Sequence, residues 1–317
     1  MPSVTFPRHQ PLHALHVVGI RYRGSRLAAG DDRSLDAYAA ADVYATATVP
    51  VMISEPTLAA SERGDDEPAN LGRIGGQIAT TVAEAMRAGR APLVVGGDCS
   101  HSVGVFAGLQ QVFGADARIG LVWFDAHGDF NTPQTSLSQM LGGMPVAVCA
   151  GLAYPQWREG AGVRAPLPTD RILFVDVRNL DAPEAQLLHA TAATVAAVAP
   201  GFPGAALGPA VAALAARCDL LYLHIDSDIL DAALVPNHGT REPNGPDRAQ
   251  VARAIDTVLA TGAVAACAVV SVYGEGPGSA VSVESGTGLI RATLEGWARY
   301  GAAAAPALSQ GLSGDQA

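Results

Sequence analysis

The chain has 317 residues, 49% of them hydrophobic, and a net charge of −10, which is typical of a packed globular protein with one large domain or two small ones. Its acidic balance and its aromatic content of only 5% argue against a nucleic-acid partner, because phosphate binding needs concentrated positive charge. All 20 basic residues are arginines, so Schiff-base chemistry and a phosphate loop ending in Gly-Lys, which both need a lysine, are excluded.

Cysteine spacing and apolar runs exclude several further classes. The four cysteines are widely separated and form no Cys-x-x-Cys pair, which excludes a zinc ribbon or a thioredoxin-type site; they are Cys99, Cys149, Cys218 and Cys267. The first residues lack the pattern of a signal peptide, and no apolar run approaches the length of a membrane span. We therefore expect a soluble, cytoplasmic protein without membrane contact.

Alternating apolar runs and alanine-rich stretches predict an α/β fold. In chain order, the predicted strands are Pro92–Val95, Ile119–Phe124, Arg171–Val175, Leu220–Ile225 and Val264–Val272. The predicted helices are Leu71–Arg90, Ser102–Phe113, Pro183–Val198, Pro209–Ala216 and Pro246–Thr261. Strands that are apolar throughout and alternate with helices are typical of a parallel sheet covered on both faces.

The rest of the chain gives weaker signals. Residues 24–70 are rich in Asp and Ala and show little periodicity. Residues 304–317 consist mainly of small residues with little to bury, so we expect a flexible C-terminal tail after a single domain over residues 1–303.

Three polar clusters each directly follow a predicted strand. They are Gly96-Gly97-Asp98-Cys99-Ser100-His101, Asp125-Ala126-His127-Gly128-Asp129 and Asp226-Ser227-Asp228. In a parallel sheet all three open at the same carboxyl edge, where ligands bind in this architecture.

The acidic and imidazole groups of these clusters predict a metal site. Alternate residues such as Asp125, His127 and Asp129 point the same way if the segment stays extended. Converging carboxylates repel one another, and a divalent cation resolves that repulsion. Oxygen ligands with one imidazole favour Mn²⁺, with Fe²⁺, Co²⁺ or Zn²⁺ as alternatives. Taken singly, an Asp-x-Asp is usually a turn or a helix cap, but three such clusters at strand ends favour the metal.

The three motifs together resemble those of the ureohydrolases, the family of arginase and agmatinase. Gly-Gly-Asp-x-Ser, Asp-Ala-His-x-Asp and Asp-x-Asp-x-x-Asp occur here in the family's order and spacing, over about Asn70 to Val272. The resemblance implies a three-layer α/β/α fold with a central parallel sheet, a two-manganese centre, hydrolysis of a guanidino group to urea and an amine, and a homo-oligomer, commonly a trimer or a hexamer. It implies metal ligands at Cys99, Asp125, His127, Asp129, Asp226 and Asp228, with Asp125 and Asp226 bridging the ions and Asp231 holding the following loop.

The first ligand position departs from the family, in which it is a histidine. Here it is Cys99, and a thiolate is a soft ligand whereas Mn²⁺ prefers oxygen and nitrogen. We therefore expect one of the two metal sites to be weakened or to prefer another ion. Two alternatives stay open: Cys99 is a buried inert thiol, or His101 replaces it as the ligand.

Two further departures concern the catalytic and guanidine-binding groups. Gly142 stands where arginases carry a proton-shuttling histidine, and His238 is the candidate that replaces it, unless it is an ordinary surface histidine. Ser271 stands where arginases pair a glutamate with the guanidinium, with Glu275 and Glu284 as possible substitutes.

The amino-acid end of the pocket resembles that of arginases more closely. Asn131 and Ser138 align with the residues that bind the substrate α-carboxylate. Asp181 and Glu184 fall in the stretch that holds the α-amino group, although Asp181 is equally well placed to cap the helix that follows.

The sequence therefore predicts a metal-dependent hydrolase that cleaves the linear C–N bond of a small guanidino compound. The preferred substrate is arginine-like with a modified guanidine, such as Nω-hydroxyarginine, because a less basic group needs less help from a carboxylate. Asp129 would orient the attacking water and His238 would act in catalysis. The alternatives are an agmatinase or guanidino-acid hydrolase, and a degenerate relative that binds metal or ligand without catalysis.

Overall fold

A nine-stranded sheet forms the centre of the computed structural model, which describes residues 7–305. The strands are β1 (Leu15–Ile20), β2 (Tyr22–Arg23), β3 (Arg26–Leu27), β4 (Val51–Ser54), β5 (Ala91–Gly96), β6 (Ile119–Phe124), β7 (Ile172–Val175), β8 (Thr194–Ala197), β9 (Ala205–Ala206), β10 (Leu220–Asp226) and β11 (Val264–Val270). The sheet order is β4-β1-β5-β11-β10-β6-β7-β8-β9, and all neighbouring strands in it are parallel. Strands β2 and β3 form a separate antiparallel pair.

Helices cover both faces of the sheet. They are α1 (Leu35–Ala40), α2 (Glu67–Arg87), α3 (Ser102–Phe113), α4 (Pro145–Cys149), α5 (Pro155–Ala161), α6 (Ala182–His189), α7 (Leu207–Arg217), α8 (Arg248–Leu259) and α9 (Ser279–Tyr300). One apolar core lies under α2 to α6, and a second lies under α1, α7, α8 and α9. The predicted three-layer α/β/α architecture is confirmed. Within residues 7–305, no helix has both the length and the apolar character that crossing a membrane requires.

The five predicted strands all lie in the sheet, but one predicted helix is wrong in its second half. The stretch Pro183–Val198 forms α6 and then strand β8, which pairs with β7. Thr194 and Val195 are β-branched and suit a strand, and the small alanines around them gave a helical composition that tertiary pairing overrides. Strands β1 and β4 and helix α9 were not predicted at all.

The ends of the chain are only partly described. The predicted tail, 304–317, lies outside the described residues except for Ala304 and Ala305. The amide of Ala304 donates a hydrogen bond to the carbonyl oxygen of Pro7 at 3.2 Å. The limits proposed for the single domain, 1–303, remain a prediction.

The strand order brings the three polar clusters together. Strands β5, β11, β10 and β6 lie side by side in the middle of the sheet, so the residues that follow their carboxyl ends meet above its centre. All four strands are buried along their whole length, which holds these residues on a rigid base.

Helix α3, which follows the Cys99 segment, packs closely on α2 through two glycines. A Cβ on Gly104 would lie 2.5 Å from the carbonyl oxygen of Gly75 and 3.0 Å from the Cβ of Ile78. No side chain fits at this position without separating the helices. The contact fixes the start of α3, and with it the turn that carries Cys99.

This close contact predicts a stability effect. The substitution Gly104→Ala should destabilise the fold by about 1–3 kcal/mol, the range of overpacked core positions. Gly288→Ala in α9 is the matched control, because a Cβ there meets nothing within 4 Å, and alanine should raise helix stability by up to about 1 kcal/mol. Urea unfolding of both variants measures the two effects; equal changes would contradict the packing argument.

Candidate metal centre

Four aspartates converge above the central strands. Asp125, Asp129, Asp226 and Asp228 are 1%, 7%, 4% and 1% exposed. The oxygen atoms of Asp125, Asp226 and Asp228 form three overlapping groups with other donor atoms, and within each group all donor atoms lie within 4.8 Å of one another. The groups are Cys99 with Asp125 and Asp226, Asp125 with His127 and Asp228, and Asp226 with Asp228 and His238.

Local turns, rather than an extended backbone, bring these carboxylates together. Oδ1 of Asp125 accepts the amide of His127 at 2.7 Å, and Oδ1 of Asp226 accepts the amide of Asp228 at 3.0 Å. Each aspartate thus turns the chain back on itself directly after its strand. The condition that the segments stay extended does not hold, although Asp125, His127, Asp226 and Asp228 do meet, and Asp129 lies outside the close groups.

Arg178 fixes the loop that follows β10. It forms an ion pair with the buried Asp176 and donates to the carbonyl oxygens of Asp228 at 3.0 Å and Ile229 at 3.0 Å. It also donates to the carbonyl oxygen of Glu242 at 3.1 Å. The sequence analysis missed this role, and the signal for it was an Asp-x-Arg directly after strand β7.

His127 lies between two of the aspartates. Its Nδ1 is 3.2 Å from oxygens of both Asp125 and Asp228, and its Nε2 is 3.2 Å from Oε1 of Glu242. Burial alone would lower the pKa of His127, but the hydrogen bonds to the two aspartates raise it well above its usual value. A histidine with one nitrogen in the cluster and the other on a carboxylate is the usual arrangement of a metal ligand. The sequence analysis did not find Glu242.

Cys99 is buried in the first group. Its Sγ lies 2.9 Å from Oδ2 of Asp226, 3.7 Å from Oδ2 of Asp125 and 3.3 Å from Nε2 of His224. Burial and the charge of Asp226 raise the pKa of the thiol. His101, the alternative ligand, faces elsewhere, because its Nε2 is 2.9 Å from the carbonyl oxygen of Gly24.

The sequence analysis also missed His224, which is fully buried behind Cys99. Its ring stacks on Trp123 at 3.8 Å and 6°, since the two residues are direct partners on β10 and β6. Its Nδ1 lies 3.0 Å from the hydroxyl of Tyr222. Burial lowers the pKa of His224 to about 3, so the ring is neutral. Its position two residues before Asp226, on the same strand, was the available signal.

His238 is buried against the cluster and is therefore not a surface histidine. Its Nε2 is 3.4 Å from Oδ1 of Asp226 and has no well-aligned hydrogen-bond partner in the described part of the chain. Its Nδ1 is 3.0 Å from the carbonyl oxygen of Thr240. Burial opposes the charged ring, but the contact with Asp226 raises the pKa of His238 to about 9.

The donor set fits divalent cations. Burial and neighbouring carboxylates raise the pKa values of Asp125 and Asp129 well above their usual range, which means that the cluster carries more negative charge than the protein neutralises. Carboxylate oxygens and imidazole are ligands of Mn²⁺, and a bound cation would restore both aspartates to their charged form. Asp129 lies outside the three close groups, but its charge acts on Cys99 and Asp125.

The predicted amino-acid end partly assembles. Oδ2 of Asp181 lies 3.5 Å from Nδ2 of Asn131 and 3.3 Å from the amide of Leu137. Although Asp181 stands at the N-cap position of α6, its side chain makes no capping hydrogen bond. Ser138 is exposed on the same loop. Glu184 is buried and accepts the amide of Phe130 at 2.9 Å, so it supports the loop from below.

The two glutamates considered as substitutes for the acid that is absent at Ser271 are each bound to other groups. Glu275 accepts the amide of Asp31 at 2.7 Å, and Glu284 forms an exposed ion pair with Arg248 at 2.7 Å. Ser271 itself is buried, and its amide donates to the carbonyl oxygen of Gly97 at 3.2 Å.

Arg33 shares a hydrogen-bond acceptor with Ser271, and its guanidinium forms an ion pair with Asp32 at 2.7 Å. Nη1 of Arg33 donates to the same Gly97 carbonyl at 3.0 Å. The guanidinium groups of Arg33 and Arg23 lie 4.4 and 4.9 Å from the ring of Tyr273.

A parallel sheet with a buried carboxylate and imidazole cluster at its carboxyl edge defines an α/β protein with a candidate two-metal centre. A model of the arginase family matches residues 19–289 of the chain. The chain belongs to the arginase family, as its motifs indicated.

Two curated relatives and two solved structures illustrate the similarity. The chain is 31% identical to the arginase of Bacillus caldovelox over 185 residues, which cover 56% of this chain and 61% of that one. It is 30% identical to the arginase of Brevibacillus brevis over 52% of this chain and 55% of that one. These alignments span less than two thirds of either relative. The arginase of Bacillus subtilis shares the fold with a TM-score of 0.75 and 21% identity over 89% of this chain and 98% of that chain. The formimidoylglutamase of the same species does so with a TM-score of 0.67 and 12% identity over 91% of this chain and 88% of that chain.

The geometry of the cluster predicts how metal content responds to substitution. Asp226 belongs to two of the three groups, so Asp226→Asn should lower manganese from two ions per chain to one or none. His238→Asn should retain two ions if its ring faces the cluster without ligating. Asp116→Asn, at an exposed position, is the control for loss of one carboxylate. Elemental analysis after gel filtration measures the ratio; two ions in Asp226→Asn would contradict the assignment.

Proposed function

We propose that this chain is a manganese-dependent ureohydrolase that cleaves the linear C–N bond of an arginine-like guanidino compound. Nω-hydroxy-L-arginine is the preferred substrate, with ornithine and a hydroxylated urea as products. The observation that supports the proposal best is the buried cluster of Asp125, His127, Asp226 and Asp228, in a chain of the arginase family. Activity as a homo-oligomer, a trimer or a hexamer, is part of the same proposal.

The residues present divide into two ligand sets. Cys99, Asp125, Asp129 and Asp226 would hold one ion, and His127, Asp125, Asp226 and Asp228 would hold the other. When bound, two divalent ions would neutralise these carboxylates and would supply a water molecule of lowered pKa as the nucleophile. Because Cys99 is a soft ligand, we expect the first ion to be held more weakly if it is Mn²⁺.

Two side chains are placed to handle protons and water. Asp129 lies beside the cluster and would orient the attacking water. Nε2 of His238 is buried, lies 3.4 Å from Oδ1 of Asp226 and has no well-aligned hydrogen-bond partner among residues 7–305, while the carbonyl oxygen of Thr240 can hold its Nδ1. His238 is therefore placed to give a proton to the departing amine. A histidine has this role in arginases at the position that Gly142 occupies here.

The loop around Asn131 would bind the amino-acid end of the substrate. The carboxylate of Asp181 faces this loop rather than its own helix, so it can accept a hydrogen bond from the α-ammonium group. Asn131 and Ser138 would bind the α-carboxylate, and Glu184 would keep the loop in place through the amide of Phe130.

The guanidine end favours a weakly basic group. A guanidinium cation needs a carboxylate partner when it loses water, but Ser271 offers only a hydroxyl, and Arg33 binds the adjacent carbonyl. A hydroxylated guanidine, which is neutral more readily, therefore fits this end better than the guanidinium of arginine.

A substrate panel tests the proposed reaction. We expect the manganese-loaded protein to release ornithine from Nω-hydroxy-L-arginine and, more slowly, from L-arginine, as measured by mass spectrometry of the amine products. Release of putrescine from agmatine, or of 4-aminobutyrate from 4-guanidinobutyrate, would agree with a hydrolase. It would contradict the assignment of Asn131 and Asp181 to the binding of an amino-acid end. No amine from any of the four compounds would favour the degenerate relative that binds without catalysis.

The acid missing at Ser271 predicts a change in specificity. Ser271→Glu should raise kcat/KM for L-arginine relative to Nω-hydroxy-L-arginine by about tenfold or more, because hydrogen bonds to charged groups contribute about 1.5–3 kcal/mol. Ser271→Gln is the matched control, since it has the same size but no charge. An equal shift in both variants would show that size, and not charge, sets the preference.

A further inference from the structure

Cys99 and His224 form a contact for which the proposed reaction gives no reason. Sγ of Cys99 lies 3.3 Å from Nε2 of His224, and both residues are buried. Cys99 comes from the turn after β5 and His224 from β10, with β11 between the two strands. The contact therefore joins two separate parts of the candidate metal centre.

Tyr222 determines the direction of this hydrogen bond. Its hydroxyl is buried, lies 3.0 Å from Nδ1 of His224 and has no other hydrogen-bond acceptor in the described chain. A buried hydroxyl is satisfied only if it donates, so the Tyr222 hydroxyl donates to Nδ1. Because Nδ1 accepts this hydrogen bond, the ring carries its proton on Nε2, which donates to the sulfur of Cys99.

Two more contacts fix the ring of His224. It stacks on Trp123 at 3.8 Å, and Nε1 of Trp123 donates to Oδ2 of Asp125 at 3.1 Å. The thiol of Cys99 in turn donates to Oδ2 of Asp226 at 2.9 Å. The sulfur is thus held between an N–H donor on one side and the carboxylates of the cluster on the other.

The ring of His224 also limits the size of the side chain at position 99. A histidine there would place ring atoms beyond the position of Sγ, where Oδ2 of Asp226 and Nε2 of His224 already lie at 2.9 and 3.3 Å. In a close-packed interior these atoms leave no room for a second imidazole. A small residue at position 99 and a large one at position 224 are therefore complementary.

We propose that His224 is a positioning residue of the metal centre: its Nε2–H supports the sulfur of Cys99 as a metal ligand, and its ring fills the space that a histidine at position 99 would need. The inference rests on the metal centre of the proposed function but on no particular substrate. When an ion binds the sulfur, the thiol proton that Asp226 accepts leaves to solvent, and the His224 N–H remains as a donor to the thiolate. Such outer partners commonly set the affinity of a metal ligand.

Titration with Co²⁺ alone tests the pairing, because a thiolate bound to cobalt gives a charge-transfer absorption band in the near ultraviolet. We expect this band in the unmodified protein and not in Cys99→Ser. His224→Ala should weaken cobalt binding at this site by about 10–100-fold and shift the band. His224→Gln, which keeps an N–H donor, should recover part of both. His16→Ala is the control, since His16 is a buried strand histidine bonded to Ser54.

Substitution of both residues tests whether the sizes of the side chains at positions 99 and 224 are complementary. Cys99→His alone should bind cobalt at least about tenfold more weakly than the double variant Cys99→His with His224→Ala, which has room for the new ring. Tyr222→Phe, a small change in a buried side chain, should shift the cobalt band without loss of folding.

Four results would overturn the pairing: no thiolate band in the unmodified protein, an unchanged band and affinity in His224→Ala, no band shift in Tyr222→Phe, or equal cobalt binding by the single and double variants. Normal cobalt spectra without turnover of any guanidino compound would overturn the proposed function instead and leave the pairing intact.

Discussion

Four aspartates buried at one edge of the sheet are the constraint on which the rest of this structure depends. Isolated carboxylates are costly to remove from water, and here Asp125, Asp226 and Asp228 lie together in overlapping groups. The rings of His127 and His238 offset part of this negative charge. Arg178 stabilises the loop that carries Asp228 through a hydrogen bond to its carbonyl oxygen. The remaining charge is what makes divalent cations the natural partners of this cluster.

The three departures from the family pattern concern Cys99, Ser271 and Gly142. The short side chain of Cys99 is backed by the ring of His224. Ser271, the position without a glutamate, shares the carbonyl of Gly97 with Arg33, which is itself paired with Asp32. The site has Gly142 in place of the proton-shuttling histidine of arginases, and it contains the buried His238. Each of these side chains comes from another segment of the chain, so the surroundings of the altered positions depend on contacts between distant segments.

Much of the fold could be predicted from the sequence because its central strands are apolar along their whole length. Strand β6 and helix α3 match their predicted limits, whereas the second half of Pro183–Val198 was misassigned because its alanines gave a helical composition to the segment that forms β8. The polar clusters were found because they follow strands directly. Glu242 and His224 could not be found in this way, since their roles depend on contacts with His127 and Cys99 across distant parts of the chain. The Asx-type turns that draw the aspartates together likewise require three-dimensional information.

The most direct test of this account is the anomalous diffraction of crystals of the manganese-loaded protein, recorded on both sides of the manganese absorption edge. The account predicts two peaks about 3.5–4 Å apart, the usual spacing of two-metal sites, with Asp125 and Asp226 between them and the sulfur of Cys99 beside one. A single peak bound by His127 and Asp228, or none at all, would contradict the claim that these residues form a two-ion centre.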